Sequence, residues 1–282
     1  MSFLKFSFLF FLPLIWFGCV TRAVQTEALL ANPGNLPFTS EITEVKFIDQ
    51  SVGYCGPATL TMAMQWAGKN ISVDEVAKQI YIPGFQGSLQ SDLIGASRRQ
   101  GLMAIQIKDL RSLLIELSAG HPVIIFENLS LSWAPNWHYA LILGYDFNKQ
   151  EMIMHSGHDA FYRWDMRKFE RSWMLGEYWG LVVLPPGELA ASAGELAHAK
   201  AAAGLEQINK DPEAEKSYRK ILDKWPTSLV PLIGLANIAY KKADRKEAIL
   251  LLQRALKAHP ESEAVKHNLA VAKSNKAEYK SR

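Results

Sequence analysis

The chain has 282 residues, a length that suits about two domains of ordinary size. Hydrophobic residues make up 49% of the chain and charged residues 21%, which excludes a long disordered, collagen-like or multi-span membrane protein. The net charge of +3 gives no reason to expect a nucleic-acid partner.

The charges are distributed unevenly along the chain. Residues 200–282 contain 17 basic and 10 acidic side chains, whereas the preceding residues contain 14 basic and 18 acidic ones. This difference predicts two regions of different character. The basic excess of the second region is interpreted as a solvated helical surface, and the alternative is attraction to an acidic partner or to anionic lipid.

An apolar run, Phe6–Val20, lies close to the N-terminus, with Lys5 before it and Arg22 after it. The run is shorter than the roughly 20 residues that a membrane-spanning helix needs, but its length is typical of the hydrophobic part of an export signal. The sequence therefore predicts a protein that is exported to the bacterial cell envelope.

The end of this run resembles a bacterial lipoprotein signal. Gly18 and Cys19 stand where that signal has a small residue and the cysteine that becomes acylated, although Trp16 and Phe17 are bulkier than its usual residues. The resemblance implies that residues 1–19 are a signal with lipid attached at Cys19, which would anchor the protein to the membrane. The alternatives are an uncleaved N-terminal anchor and an ordinary signal peptide that releases a periplasmic protein.

Residues 20–44 are expected to be a linker, and residues 45–187 mix helical and strand patterns. Three helices are predicted first, at 55–67, after a capping box formed by Ser72 and Glu75, and at 89–100. Helices followed by strands indicate an α+β domain and not alternating units. The strands are predicted from five short apolar segments bounded by Gly, Pro, Asn or Asp, at 103–107, 123–126, 138–144, 152–155 and 178–184.

Residues 188–282 begin with an alanine-rich helical pattern and then become repetitive. A period of 34 residues is that of the tetratricopeptide repeat, a helix-turn-helix unit. The pattern predicts an all-α domain of about two and a half repeats that binds a protein partner, with a polar half-repeat as its cap. An unrelated helical bundle is the alternative. The repeated residues are Ala214, Tyr218, Leu222 and Pro226, which recur as Ala248, Leu252, Leu256 and Pro260.

The residues that could carry chemistry begin with Gln50 and the segment Tyr54-Cys55-Gly56-Pro57-Ala58. A cysteine at the start of a helix lies at the positive end of the helix dipole, which favours the nucleophilic thiolate. The free N–H groups there can also bind an oxyanion, and the Gln50 amide could supply a second donor. The alternative for Cys55 is a small buried hydrophobic residue without a chemical role.

A histidine that could act on Cys55 stands much later, in the segment Asn136-Trp137-His138-Tyr139-Ala140. His138 is predicted to lie where a loop enters an apolar strand. An imidazole there could act as general base and then as general acid for the thiol. Nearby, Trp133 and Trp137 are interpreted as core or as the wall of a cleft.

Together, these motifs resemble the papain-like peptidases of the double-glycine, bacteriocin-processing type, cysteine peptidase family 39. The resemblance depends on the Y-C-G-P-A block with its upstream glutamine, paired with a W-H-Y-A strand that ends in L-G-Y-D, and it covers about Val45 to Pro185. It implies a papain-like fold of N-terminal helices plus an antiparallel sheet. It also implies that Cys55 is the nucleophile, that His138 is the base, and that Gln50 and Cys55 are the oxyanion donors.

The reaction that this resemblance implies is hydrolysis of peptide bonds after small residues. Other segments, Tyr81-Ile82-Pro83-Gly84 and Gly120-His121-Pro122-Val123, are similar to an exported branch that pairs such a domain with C-terminal tetratricopeptide repeats. We therefore expect the substrate to be a peptide or protein.

The chain departs from the family pattern at the third catalytic residue. Family members usually have an aspartate or asparagine about 16–17 residues after the histidine, where this sequence has His155 followed by Ser156. His155, Ser156 and Asp159 are the candidates for the third member, and a backbone carbonyl is another. Because His155 and His158 lack the spacing of a zinc motif, neither a metal nor a cofactor is expected.

Two functions remain open at this point. The first is an exported cysteine peptidase whose repeats bind a substrate or a partner. The second is a catalytically inactive scaffold in which the peptidase-like domain binds peptides and the repeats recruit a partner, and the missing acidic residue favours it. A transpeptidase or amidase would use the same residues as the first.

Overall fold

The computed structural model describes residues 22–50 and 53–274, and it shows a sheet-containing domain followed by a stack of helices. The predicted signal at residues 1–19, including Cys19, lies outside the described residues. Within those residues, no helix is both long enough and apolar enough to cross a membrane.

All strands of the first domain belong to one antiparallel sheet with the order β2-β7-β3-β4-β5-β6, and β1 pairs with the far end of β4. The sequence predicted five of the strands but neither β1 nor β6. The last strand begins at Gly180 and not at Tyr178, because Glu177 and Tyr178 adopt left-handed backbone angles that end the preceding helix. The strands are β1 (Thr39–Glu41), β2 (Met103–Ile107), β3 (Val123–Asn128), β4 (Trp137–Asp146), β5 (Glu151–Ser156), β6 (Asp159–Asp165) and β7 (Gly180–Leu184).

Helices pack around this sheet, and α2 is the most buried of them. Every residue of α2 from Gly56 to Met64 is buried, since the helix lies against β4 and also contacts α3 and α4. The predicted capping box is confirmed: Ser72 and Glu75 bond to each other's backbone N–H at the start of α3. Helices α1, α5 and α6 were not predicted. The helices are α1 (Val24–Ala31), α2 (Cys55–Trp66), α3 (Val73–Ile80), α4 (Gln90–Arg99), α5 (Leu110–Ser118) and α6 (Met166–Leu175).

Residues 20–44 are not merely the linker that the sequence suggested, because they contain α1 and β1. The Glu170 carboxylate of α6 accepts hydrogen bonds from the backbone N–H groups of Gln25 (3.0 Å) and Thr26 (2.6 Å) at the start of α1. A carboxylate satisfies the free N–H groups of a helix N-terminus and interacts favourably with its dipole. Residues far along the chain therefore hold this segment on the domain.

Five helices form the C-terminal region as far as residue 274, where the described part of the chain ends. The three helices that begin at Glu195, Leu229 and Glu263 start 34 residues apart, and so do the two that begin at Asp211 and Arg245. The first of them, α7, packs against β2 and α4 of the sheet-containing domain. The helices are α7 (Glu195–Glu206), α8 (Asp211–Lys224), α9 (Leu229–Lys241), α10 (Arg245–Ala258) and α11 (Glu263–Lys273).

The connection between the two regions differs from its predicted structure. Residues 188–194 were expected to be helical, but the helix begins only at Glu195. The buried carboxylate of Glu116 on α5 accepts hydrogen bonds from the backbone N–H groups of Ala191 (3.1 Å) and Ser192 (2.6 Å). These N–H groups point at a distant side chain, which fixes the connection in an irregular conformation against the first domain.

Candidate active site

Cys55 is the first residue of α2, and the chain reaches it through a tight turn. Gly53 has a left-handed φ of 78°, and a Cβ atom there would lie 2.9 Å from the carbonyl oxygen of Gln86. Tyr54, the residue before the helix, makes no side-chain hydrogen bond to the first turn. The N–H groups at the start of α2 therefore remain available to a ligand beside the thiol.

Two opposing influences act on the Cys55 thiol. Burial raises its pKa, and the backbone groups of Tyr139, Gly56 and Cys55 itself lower it to a smaller extent. The net shift is upward, so the thiol is protonated at neutral pH. The helix N-terminus was expected to favour the thiolate, but desolvation outweighs that effect in this structure.

Gln50 is held beside the thiol by a network that joins three segments. Its side-chain oxygen accepts a hydrogen bond from the Gly157 N–H (3.1 Å), and its Nε2 donates to Thr59 Oγ1 (3.1 Å). Thr59 lies on α2 and donates in turn to the carbonyl oxygen of Tyr139 on β4 (3.3 Å). An amide nitrogen carries two hydrogens, so the Gln50 side chain keeps a second N–H that Thr59 does not use.

His138 is the second residue of β4. Its Nε2 lies 3.0 Å from Ser156 Oγ, so Nδ1 is the ring nitrogen that remains for Cys55. Burial lowers the pKa of His138 to about 4. At neutral pH the imidazole is therefore uncharged and can accept a proton. The thiol and the imidazole share one cleft but are not hydrogen-bonded to each other, as is common in free enzymes.

The structure separates the three candidates for the third member of the site. Ser156 contacts the His138 ring. His155 does not, because its ring is buried between Phe47 and Phe161 and its Nε2 lies 3.2 Å from the carbonyl oxygen of Val45. Asp159 is exposed at the start of β6. The neutral hydroxyl of Ser156 thus occupies the position where an acidic or amide side chain was expected.

The cleft that contains these residues has a volume of about 870 Å³. One wall includes Phe85, which is 74% exposed, and the other includes Trp137, which stacks on Phe126 with ring centroids 5.0 Å apart. Trp133 lies in the connection between β3 and β4 and is 80% exposed. The walls are therefore apolar and accessible, and they suit a ligand with apolar side chains.

One ionisable residue next to this cleft, Glu127, was not predicted from the sequence. Glu127, on β3, is fully buried, and its register partner across the β3–β4 ladder is His138. Its Oε2 accepts a hydrogen bond from Ser172 Oγ (2.8 Å), and burial raises its pKa to about 7. The sequence Phe-Glu-Asn at the end of an apolar strand resembles an ordinary strand terminus, so no local signal marks this residue.

No metal centre is apparent at this site. Among residues 22–50 and 53–274, no group of three or more His, Cys, Asp or Glu side chains is arranged to hold a metal ion. The groups that the structure brings together are a thiol, an imidazole, an amide and backbone N–H donors. This set suits acyl transfer through a sulfur nucleophile.

The model of the Peptidase_C39 like family matches residues 42–178. This segment is therefore similar to that family. The match contains all of the site residues described above and ends just before β7. None of the curated proteins matches the chain.

Three solved structures of peptidases are each similar to about half of the chain. A Bacillus anthracis protein described as a "putative C39-like peptidase" is 17% identical, with a TM-score of 0.45 over 52% of this chain and 97% of that one. A double glycine motif protease from an AMS/PCAT transporter, solved with its leader peptide, is 19% identical, with a TM-score of 0.42 over 51% and 93%. The peptidase domain of Streptococcus ComA, a bifunctional ABC transporter, is 19% identical, with a TM-score of 0.42 over 50% and 99%.

Proposed function

We propose that the C39-like domain is a cysteine peptidase in which Cys55 is the nucleophile and His138 is the general base. One observation carries the proposal: Gln50 and Cys55, in the segment that leads into α2, and His138, on β4, line one cleft. The match to the Peptidase_C39 like family supports the reaction class. The apolar, accessible walls of the cleft are consistent with a peptide substrate.

The reaction starts from an uncharged pair, because the pKa of the thiol is raised and that of His138 is lowered. As the sulfur attacks the substrate carbonyl carbon, the thiol proton passes to Nδ1 of His138. The oxyanion accepts hydrogen bonds from the Cys55 N–H and from the second N–H of the Gln50 amide. The imidazolium then gives its proton to the departing amine nitrogen as the C–N bond breaks.

The second half of the reaction releases the acyl group. Water attacks the thioester carbonyl while His138 accepts a proton from it, and the C–S bond breaks as that proton returns to sulfur. The Ser156 hydroxyl holds Nε2 and so fixes the ring orientation. It carries no charge, and so it stabilises the imidazolium less than a carboxylate would.

The remaining parts of the chain fit an envelope protein. We propose that residues 1–19 direct export and that lipid on Cys19 tethers the protein to the membrane. We also propose that residues 188–282 are tetratricopeptide repeats that bind a protein partner, which the 34-residue spacing of the helix starts supports. Tethering would keep the peptidase close to substrates at the membrane surface.

A second function is favoured by a specific observation, the neutral Ser156 beside His138. In this alternative, the C39-like domain binds peptides in the cleft without cleaving them, and the repeats recruit a partner. The same residues would line the cleft in both cases, and only turnover distinguishes them.

The test uses a protein of residues 20–282, in which Cys55 is the only cysteine. We expect iodoacetamide to alkylate Cys55 at pH 7.5 at least about tenfold faster in the wild type than in His138→Ala, because the imidazole takes up the thiol proton. His158→Ala, a surface histidine paired with Asp49, is the matched control and should alkylate at the wild-type rate. Equal rates in the wild type and His138→Ala would rule out the activated pair.

Turnover is measured with a library of peptides that contain small residues at successive positions. Cleavage that disappears in Cys55→Ala supports the peptidase. Binding that is equal in the wild type and Cys55→Ala, without any cleavage, supports the scaffold.

A further inference from the structure

Glu127 stands directly opposite His138 in the antiparallel ladder between β3 and β4. Residues in this relation point to the same face of a sheet, with Cβ atoms about 4.5–5.5 Å apart. The register therefore places a carboxyl group beside the imidazole, on the side of β4 away from Ser156 on β5. No other acidic residue of β3 or β4 has this relation to His138, since the remaining acid, Asp146, lies at the far end of β4.

The Glu127 carboxyl is incompletely satisfied. The residue is 0% exposed, and its Oε1 is buried without a hydrogen-bond partner among the described residues. The Ser172 hydroxyl that bonds to Oε2 also lies 2.9 Å from the carbonyl oxygen of Asn128, and its one hydrogen can serve only one of them at a time. Ionising a buried carboxyl group in such surroundings costs free energy unless a cation lies close by.

Ionisable groups on the other elements packed against β3 do not supply that cation. The pKa of Glu127 is raised by burial and lowered only by the Ser172 hydrogen bond. Arg167 on α6 pairs with Glu27, Lys168 is exposed, and Arg171 forms no ion pair with Glu127. The other groups bond elsewhere: Glu170 to the N-terminus of α1, Glu116 on α5 to Ser192, and the Tyr139 hydroxyl to the Ser88 carbonyl.

We infer that Glu127 is a positioning residue that supplies the negative charge missing at Ser156. In the resting enzyme His138 is neutral, and the cation beside Glu127 appears only when the Cys55 proton has moved to the ring. Ionised Glu127 then stabilises the imidazolium and so favours the thiolate. This inference rests on the proposed function, because it requires His138 to accept the Cys55 proton.

The assistance that Glu127 gives to His138 should depend on pH. The pKa of Glu127 is about 7, so the carboxyl gains its charge as the pH rises through neutrality. Below that range Glu127 is neutral and cannot assist His138. The contribution of Glu127 to thiol reactivity should therefore be absent at pH 5.5 and complete at pH 8.5.

The experiment measures the alkylation rate of Cys55 by iodoacetamide between pH 5.5 and 8.5 in the 20–282 protein. We expect Glu127→Gln to be roughly 10- to 100-fold slower than the wild type at pH 8.5, from the attraction of two charges a few ångströms apart at protein-like screening. The two rates should converge at pH 5.5. Glu177→Gln, which changes an exposed glutamate after α6, is the matched control and should follow the wild type throughout.

A double variant tests whether a carboxylate on the other side of His138 can replace the charge of Glu127. Adding Ser156→Asp to Glu127→Gln introduces a carboxylate next to His138 Nε2, and it should restore the alkylation rate to within about threefold of the wild type. If the double variant stays as slow as Glu127→Gln, the charge argument is wrong.

Three outcomes separate this inference from the proposed function. If Glu127→Gln follows the wild type at every pH while His138→Ala is slow, the role of Glu127 is refuted and the Cys–His pair stands. If Glu127→Gln is slower by one constant factor at every pH, its role is structural and the inference is also refuted. If the wild type, His138→Ala and Glu127→Gln all react alike, the proposed function itself fails.

Ser172→Ala keeps the inference testable if Glu127→Gln does not fold. Loss of the hydroxyl removes the hydrogen bond that lowers the pKa of Glu127, so the rise in reactivity should move to higher pH while its plateau is unchanged. An inflection at the wild-type pH would contradict the inference.

Discussion

The helical region and the sheet-containing domain each hold a glutamate in a cluster of polar groups, but the two carboxyl groups are bonded differently. In the helical region, Glu206 of α7 accepts hydrogen bonds from the Tyr218 hydroxyl (2.8 Å) and from Asn237 Nδ2 (3.0 Å), so each of its oxygens has a donor. In the C39-like domain, one oxygen of Glu127 has none. The first arrangement stabilises a stack of helices, whereas the second is suited to a charge that appears during a reaction.

The two regions also differ in the distance along the chain that their contacts span. Glu206 bonds to residues 12 and 31 positions away, which are in the next two helices. Gln50 bonds to Gly157, which is 107 positions away. Substitutions in a stack of helices with such short-range contacts act mainly on neighbouring helices, whereas the cleft depends on segments that only the complete domain brings together.

A third glutamate, Glu116, lies on α5 of the sheet-containing domain but bonds to the connection that leads to the helical region. Burial would raise the pKa of Glu116, but hydrogen bonds from His121, Ser192 and the backbone of Ala191 outweigh burial and hold the pKa below its ordinary value. Its carboxylate is therefore charged, buried and fully bonded. The comparison can be tested by changing Glu116, Glu127 or the tyrosine that bonds to Glu206.

The largest effect is expected for Glu116→Gln. The amide would place an NH₂ group against donors that now bond to the carboxylate, so we expect the free energy of unfolding at pH 7 to fall by about 2–4 kcal/mol. Because the folded pKa is depressed, Glu116 stabilises the protein above its unfolded pKa, and this contribution is lost as the pH falls below about 4.5. Urea unfolding of the wild type and the variant at pH 7 and pH 3.5 measures both effects.

Glu188→Gln is the control for that change, since Glu188 lies exposed in the same connection. Its free energy of unfolding should stay within about 0.5 kcal/mol of the wild type. A Glu116→Gln protein as stable as this control would show that the connection is not held by the carboxylate.

Glu127→Gln should change stability in the opposite direction. The folded pKa of about 7 lies above the unfolded value, so the wild type loses stability as the pH rises from about 4.5 through 7. Removing the charge should therefore raise the free energy of unfolding at pH 8 by about 3 kcal/mol, with a much smaller change at pH 5. Denaturant unfolding at the two pH values measures this, and a variant that is less stable at pH 8 would contradict the unsatisfied state of Glu127.

The smallest effect is expected for Tyr218→Phe. The change removes the hydroxyl that donates to Glu206 but keeps the buried ring, so the free energy of unfolding should fall by about 1 kcal/mol. Tyr162→Phe, at a tyrosine that is 41% exposed on β6, is the control and should be neutral. Alkylation of Cys55 should be unchanged in both variants, and a slower rate in Tyr218→Phe would show that the two regions are coupled.

Much of the fold could be predicted from local patterns. The capping box at Ser72 and Glu75 and the helix that begins at Cys55 depend on residues a few positions apart, so the sequence contains all the information they need. The 34-residue spacing of the C-terminal helices also follows from a repeated local pattern. The elements that escaped prediction, such as α1, are held by distant partners like Glu170.

Some residues of the candidate site could likewise be predicted from local motifs, and others could not. The motifs identified Gln50, Cys55 and His138, because each lies in a short segment with a distinctive composition. The neighbours of His138 could not be predicted from short motifs. A shift of one residue in strand register would turn Glu127 and Ser156 to the other face of the sheet, and register depends on the packing of the whole domain.

The amino-acid sequence by itself determined which groups are available for acyl chemistry, since a thiol, an imidazole and an amide are properties of single residues. Only the tertiary structure decided their protonation states and their neighbours. Burial, which raises the pKa of the Cys55 thiol and lowers that of His138, exists only when the chain is folded. The same holds for the ladder that places Glu127 on one side of His138, and for the hydrogen bond between His138 Nε2 and Ser156 Oγ on the other.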